Sequence, residues 1–288
     1  MFAKVYITFA FFAIFIFQAV SQKTASSKYI AEADSLYHLT TGTIRIVELK
    51  RFRKNRTPDK KEKQSLEKTL HLYQLALKKT YLNPTQQLMV KNKISLIYYQ
   101  LRQPEKAIKT LEEILRNKSL DVLTKIFGQN LLELYQDQKY YLKIIDLYKR
   151  IDFFKQQASC RNQRNYERLY FSSVLAEAYL KTGQYEKSLK YSLNLIFLAE
   201  IEKEQNLIDI IRQGLQNLYT NKELQEELNQ SLKHPYLTGK NLHTKYFIDF
   251  LSYPVEIPYY YVERKNNQLI INPEEFKKSS LYQIIFQN

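Results

Sequence analysis

Glycine is scarce in this chain, five residues in 288, and with it come seven prolines, two methionines, one cysteine and no tryptophan. So few glycines exclude the phosphate-cradling loops, because neither G-x-G-x-x-G nor the P-loop pattern occurs. No G-x-S-x-G nucleophile elbow is present. A β-sandwich, which needs many tight turns, is disfavoured on the same ground. The single Cys160 cannot close an internal disulfide, so the fold must be held by apolar seams even in an oxidising compartment. It lies in the polar stretch QQASCRNQRN with no histidine beside it, a setting without a base to activate a thiol. The four histidines, His38, His71, His234 and His243, include no i, i+4 pair and complete no zinc motif. Glu112-Glu113, Glu226-Glu227 and Glu274-Glu275 are adjacent carboxylates, which on a helix point about 100° apart and cannot share a proton. The chain therefore reads as non-enzymatic, with no catalytic residue, metal or cofactor expected.

Residues 1–21 have the layout of an export signal. Lys4 supplies the positive charge, an apolar run follows from Val5 to Phe17, and Ala19-Val20-Ser21 ends it at cleavage-site spacing. The competing reading is a retained anchor. The run reaches Val20 only across Gln18, short of the roughly 18–20 apolar residues that span a bilayer. Cleavage after Ser21 and a periplasmic or extracellular location, with envelope association as a variant, are the expectation. No cysteine near residue 20 offers a site for lipid attachment, and no later stretch is long and apolar enough to cross a membrane.

Net charge is +15, from 44 Lys/Arg against 29 Asp/Glu, and it is unevenly spread. Arg45 to Lys93 contains 14 basic and 4 acidic residues, and the densest part is Lys50 to Lys63, KRFRKNRTPDKKEK. Thr57-Pro58 breaks any helix there, and Asp59 is placed to cap the next one. A solvated loop is the plain reading. An anionic membrane surface contacted by Lys50, Arg51, Arg53, Lys54 and Arg56 is the sharper one. Nucleic acid is a poor candidate for an exported protein.

Helical periodicity governs the chain from Lys28 to Leu232. Ile30, Ala33, Leu36 and Tyr37 mark one helix, which Ile44, Val47 and Leu49 could extend. Leu66, Leu70, Tyr73, Leu77 and Tyr81 mark a second, ended by Asn83-Pro84. Then a pattern recurs. Ile94, Ser95 and Tyr98 precede a turn at Leu101-Arg102-Gln103, with Pro104 in the first turn of the next helix, where its missing N–H costs nothing. Leu131, Leu132 and Tyr135 open a second copy, closed by Tyr141, Ile144, Tyr148 and Ile151. The third is the plainest: Leu175, Ala176 and Tyr179, a turn at Thr182-Gly183-Gln184, then Tyr185, Ser188, Leu189, Ser192 and Leu195. Gly183 suits a left-handed turn position. A further pair follows, with Leu207, Ile210, Ile211 and Leu215 on one helix and Leu224, Leu228 and Leu232 on the other.

The order of large apolar, small, aromatic, glycine turn, aromatic and small in 175–196 resembles the tetratricopeptide repeat (TPR). The aromatic before the turn is Tyr98, Tyr135 and Tyr179, spaced 37 and 44 residues apart against the family's about 34, so helices or linkers must be longer, with Phe153–Asn165 the evident insertion. The Tyr- and Lys-rich composition and the A-V-S-Q region are similar to exported Bacteroidetes proteins. The resemblance implies an all-α, right-handed α-solenoid of antiparallel helix pairs, organised as 22–87 (N-terminal pairs with the basic loop), 88–232 (repeats) and 233–288 (cap). It also implies that a protein or peptide partner binds a groove lined by the first helix of each pair. Those positions are Met89, Asn92, Leu96 and Tyr99; Ile126, Gln129, Glu133 and Gln136; and Tyr170, Ser173, Glu177 and Lys181. Relatives that hold a peptide carboxylate do so with a basic set absent here. A secreted scaffold for protein–protein interaction is the reading that follows. The alternative is a sensory or regulatory input module acting through a separate protein.

After His234-Pro235 the character changes. Tyr246, Phe247, Phe250 and Leu251 suggest one short helix, Tyr259–Glu263 and Gln268–Ile271 a hairpin, and Pro273 onward a closing helix through Phe276, Leu281 and Ile285. This segment is expected to cap the open end of the array. The basic segment gives a first testable expectation. Basic side chains at an anionic membrane contribute on the order of 1 kcal/mol each, screened over about 10 Å at 0.1 M salt. Co-sedimentation with anionic liposomes should fall steeply with salt and be lost when Lys50, Arg51, Arg53, Lys54 and Arg56 are neutralised. Equal sedimentation of wild type and variant would leave a solvated loop.

Overall fold

The computed structural model describes residues 28–40, 57–79, 82–116, 121–154, 161–239, 245–266 and 268–287. The chain is mostly helical, with small antiparallel sheets near its C-terminus. It divides into two compact units, Met1–Gln138 and Lys139–Asn288.

The first unit contains α1 (28–40), α2 (Lys60–Lys79), α3 (Pro84–Gln100), α4 (Pro104–Arg116) and α5 (Asp121–Asp137). Local chemistry sets its helix starts. Asp59 Oδ1 accepts from the Glu62 N–H at 2.8 Å, and Glu62 Oε2 accepts from the Asp59 N–H at 3.0 Å, a reciprocal cap on α2. Asn83 and Gln86 repeat it on α3 at 2.8 and 3.1 Å, with Pro84 at the first helical position. The Asn83-Pro84 pair therefore starts the next helix, while α2 ends at Lys79. Between α3 and α4 the Gln103 N–H bonds the Tyr98 carbonyl at 2.9 Å and Arg102 takes φ 61°, which closes the helix and reverses the chain. α3 packs on α2 and α4, and α4 packs on α5. Leu96, Leu111, Phe127 and Leu131 are fully buried among them.

The second unit begins with α6 (Tyr141–Arg150) and α7 (Arg161–Lys181), joined by aromatic contacts. Phe153 lies 4.8 Å from Tyr148 and 5.0 Å from Phe171, and the Tyr148 hydroxyl donates to the Phe171 carbonyl at 2.7 Å. The last part of the expected insertion, 161–165, is thus helix, because α7 already starts at Arg161. α7 turns at Gly183, φ 74°, into α8 (Tyr185–Ser192). There Ser188 donates to the Ala176 carbonyl at 2.8 Å, and both residues are fully buried, so small side chains let the two backbones approach. A 3₁₀ turn, Leu193–Leu195, bends the chain into α9 (Ile196–Glu202), followed by α10 (Gln205–Leu218) and α11 (Asn221–Ser231). Gly214 of α10 faces Leu189, whose Cδ2 would sit 2.9 Å from any added Cβ.

The expected helix around Tyr246–Leu251 is instead a strand. β1 (Tyr236–Thr238), β2 (Lys245–Phe250) and β3 (Tyr253–Ile257) form an antiparallel sheet in that order. Ile248, Phe250, Val255 and Ile257 are buried, which is period-two burial on one face. The β2–β3 turn is Leu251-Ser252, φ 54° and 64°, so both central residues are left-handed. Pro254 stands opposite Asp249 in this register. The hairpin forms with its first strand shifted: Tyr259–Tyr261 is a 3₁₀ turn, and β4 (Val262–Lys265) pairs with β5 (Gln268–Ile271). The closing helix is two, α12 (Pro273–Phe276) and α13 (Ser280–Phe286), because the Ser279 hydroxyl accepts from the Tyr282 N–H and starts a new helix. These parts share one core with α8 to α11, including Phe197, Leu215, Leu228, Phe250, Phe276 and Ile285. Glu200 of α9 fastens them: its carboxylate accepts from the Tyr261 hydroxyl at 2.9 Å and the Ser280 N–H at 2.6 Å.

Among the described residues, four helix ends carry a left-handed residue, Arg102, Lys139, Gly183 and Lys203, with φ between 58° and 74°. Three of them are not glycine, at a cost of about 1–2 kcal/mol each. Lys203→Gly should therefore stabilise the protein, by about 0.5 kcal/mol after the added freedom of the unfolded chain is subtracted. Gly183→Ala should destabilise it by about 1 kcal/mol through the backbone alone, since nothing lies within 4 Å of an added Cβ. Urea denaturation of both variants checks the pair of opposite signs.

Candidate functional site: the polar faces of the first helices

In the first unit the candidate residues on α3 and α5 divide by burial. Asn92 and Leu96 are fully buried and Glu133 is 5% exposed, while Met89, Tyr99, Ile126, Gln129 and Gln136 are half-buried. Asn92 thus serves the seam between helices: its Oδ1 accepts from Asn130 Nδ2 at 3.0 Å. Its own Nδ2 has no hydrogen-bond partner among the described residues. The Tyr99 hydroxyl donates to Asp137 of α5. Burial, and after it the Asp137 carboxylate, raises the Tyr99 pKa well above the usual tyrosine value; Glu133 adds to this and Arg102 opposes it. The structure therefore gathers Tyr99, Glu133, Asp137 and Arg102 at one end of α3 and α5. Sequence reasoning named only Tyr99 and Glu133, although Asp137 stands one helical turn beyond Glu133 and carried the signal.

A second polar set ties α1 to its neighbours. One oxygen of Asp34 accepts from Lys93 Nζ at 2.6 Å and also from the Tyr73 hydroxyl. Lys93 Nζ lies 5.5 Å from the Tyr73 ring centre, and Gln100 Nε2 donates to the Tyr37 hydroxyl at 2.8 Å. The Asp34–Lys93 pair is part-exposed, and Tyr37 and Tyr73 are fully buried, so these bonds fix geometry over an apolar floor.

In the second unit the candidate residues follow one side of α7. Tyr170 lies parallel to Tyr166 with centroids 6.5 Å apart, and Tyr166 is 52% exposed. Ser173 Oγ accepts from Asn206 Nδ2 of α10 at 3.2 Å. Glu177 is half-buried and close enough to α6 for its charge to add to the burial that raises the Tyr141 pKa. Lys181 is exposed. The basic residues Lys50, Arg51, Arg53, Lys54 and Arg56 lie outside the described residues, as does Cys160.

Among the described residues no group of three or more His, Cys, Asp or Glu side chains could hold a metal ion, and no helix is long and apolar enough to cross a membrane. No protein-family model, curated protein or solved structure matches the chain.

The tyrosine network makes stability depend on alkaline pH. Tyr37, Tyr73, Tyr99 and Tyr261 all have pKa values raised above 10, chiefly by burial, with Asp34, Asp137 and Glu200 adding to the last three. A pKa raised in the folded state means that the folded form retains the proton. The stabilisation is complete below the unfolded value of about 10 and declines as pH rises above it. Phenolate absorbance should therefore show one class of tyrosines titrating near 10 and a second appearing only as helical circular dichroism is lost. A single class near 10 with the helices intact would refute this.

Proposed function

We propose that the protein is an exported, non-enzymatic scaffold that binds a protein or peptide along the first helices of a TPR-like, right-handed α-solenoid. The observation that carries the reading is the recurrent turn. A left-handed residue follows the repeat tyrosine by four positions in each copy: Tyr98 and Arg102, Tyr135 and Lys139, Tyr179 and Gly183. A left-handed residue at the same offset in three unlike sequences is what a repeated helix–turn–helix unit would supply. Units of this kind bury apolar faces on neighbours and leave a run of mixed side chains for a partner.

Burial narrows the face. Asn92, Leu96 and Glu133 are taken up by the helix packing, so the contacts available to a partner come from Met89, Tyr99, Ile126, Gln129 and Gln136, and from Tyr170, Ser173, Glu177 and Lys181. Aromatic and amide side chains of this sort suit an extended peptide, because they combine apolar area with adaptable hydrogen bonding. Export by residues 1–21 and attachment of Lys50–Arg56 to an anionic envelope surface belong to the same reading.

The test is site-specific crosslinking in envelope extract. A photo-reactive residue at Gln129 or Glu177 should give a discrete adduct of one partner, and the same probe at Lys109 or Glu113, exposed on α4, should not. Adducts from the α4 positions alone would place the partner elsewhere.

A further inference from the structure

We draw no further inference here: the strongest candidate, the parallel Tyr166–Tyr170 pair on the solvent side of α7, is an aromatic surface patch for which nothing in the structure shows what covers it.

Discussion

Reversal of the chain after α3 and after α7 is the constraint on which the rest depends. An amphipathic helix has one apolar stripe, and it is buried only if the next helix comes back alongside it. At Arg102 and Gly183 the return is made in a few residues, by one left-handed residue and a bond from the next N–H to the repeat tyrosine's carbonyl. The bond is 2.9 Å in both cases, Gln103 to Tyr98 and Gln184 to Tyr179. Such a turn fixes which face of the second helix meets the first. It explains why Ala107 of α4 and Ser188 of α8, each the fourth residue of its helix, are fully buried where the hairpin is narrowest. Arg102, Lys139 and Lys203 show that the geometry is held despite its backbone cost, so the packing it enables must exceed that cost.

The C-terminal segment meets a different requirement. Helices α9 to α11 leave apolar side chains that the C-terminal strands and α13 cover: Ile248, Phe250, Val255 and Ile257, with Leu281 and Ile285, enter the same core as Leu207, Leu215 and Leu228. Polar fastening accompanies the burial. Glu200 receives two donors from the 261–280 region, and Glu227 of α11 receives the Leu251 N–H at 3.3 Å. Both carboxylates take backbone donors that would otherwise lack partners at turns and a helix start.

Legibility in the sequence tracked the range of the interaction. The Asp59 cap, the turn before Pro104, the Gly183 turn and the β4–β5 hairpin were readable because each is decided within a few residues. β1 to β3 were not. Tyr246, Phe247, Phe250 and Leu251 fit helical spacing, and the Leu251-Ser252 turn contains neither the glycine nor the asparagine that usually marks left-handed hairpin positions. The candidate site was readable in part. Its helices were identified, but whether a polar residue such as Asn92 faces solvent or another helix depends on what lies opposite. One sequence does not encode that in its spacing. Asn130, the partner that buries Asn92, is 38 residues away.

One residue of the small sheet has a consequence for how the protein behaves in a crowded compartment. β3 is an outermost strand, and its two-residue turn makes Phe250–Tyr253 the hydrogen-bonded closing pair, so the next pair, Asp249–Pro254, points its backbone groups away from the ladder. At that outward position stands a proline ring where another residue would offer an N–H. A strand aligning there would find one donor fewer, which blunts the edge for pairing.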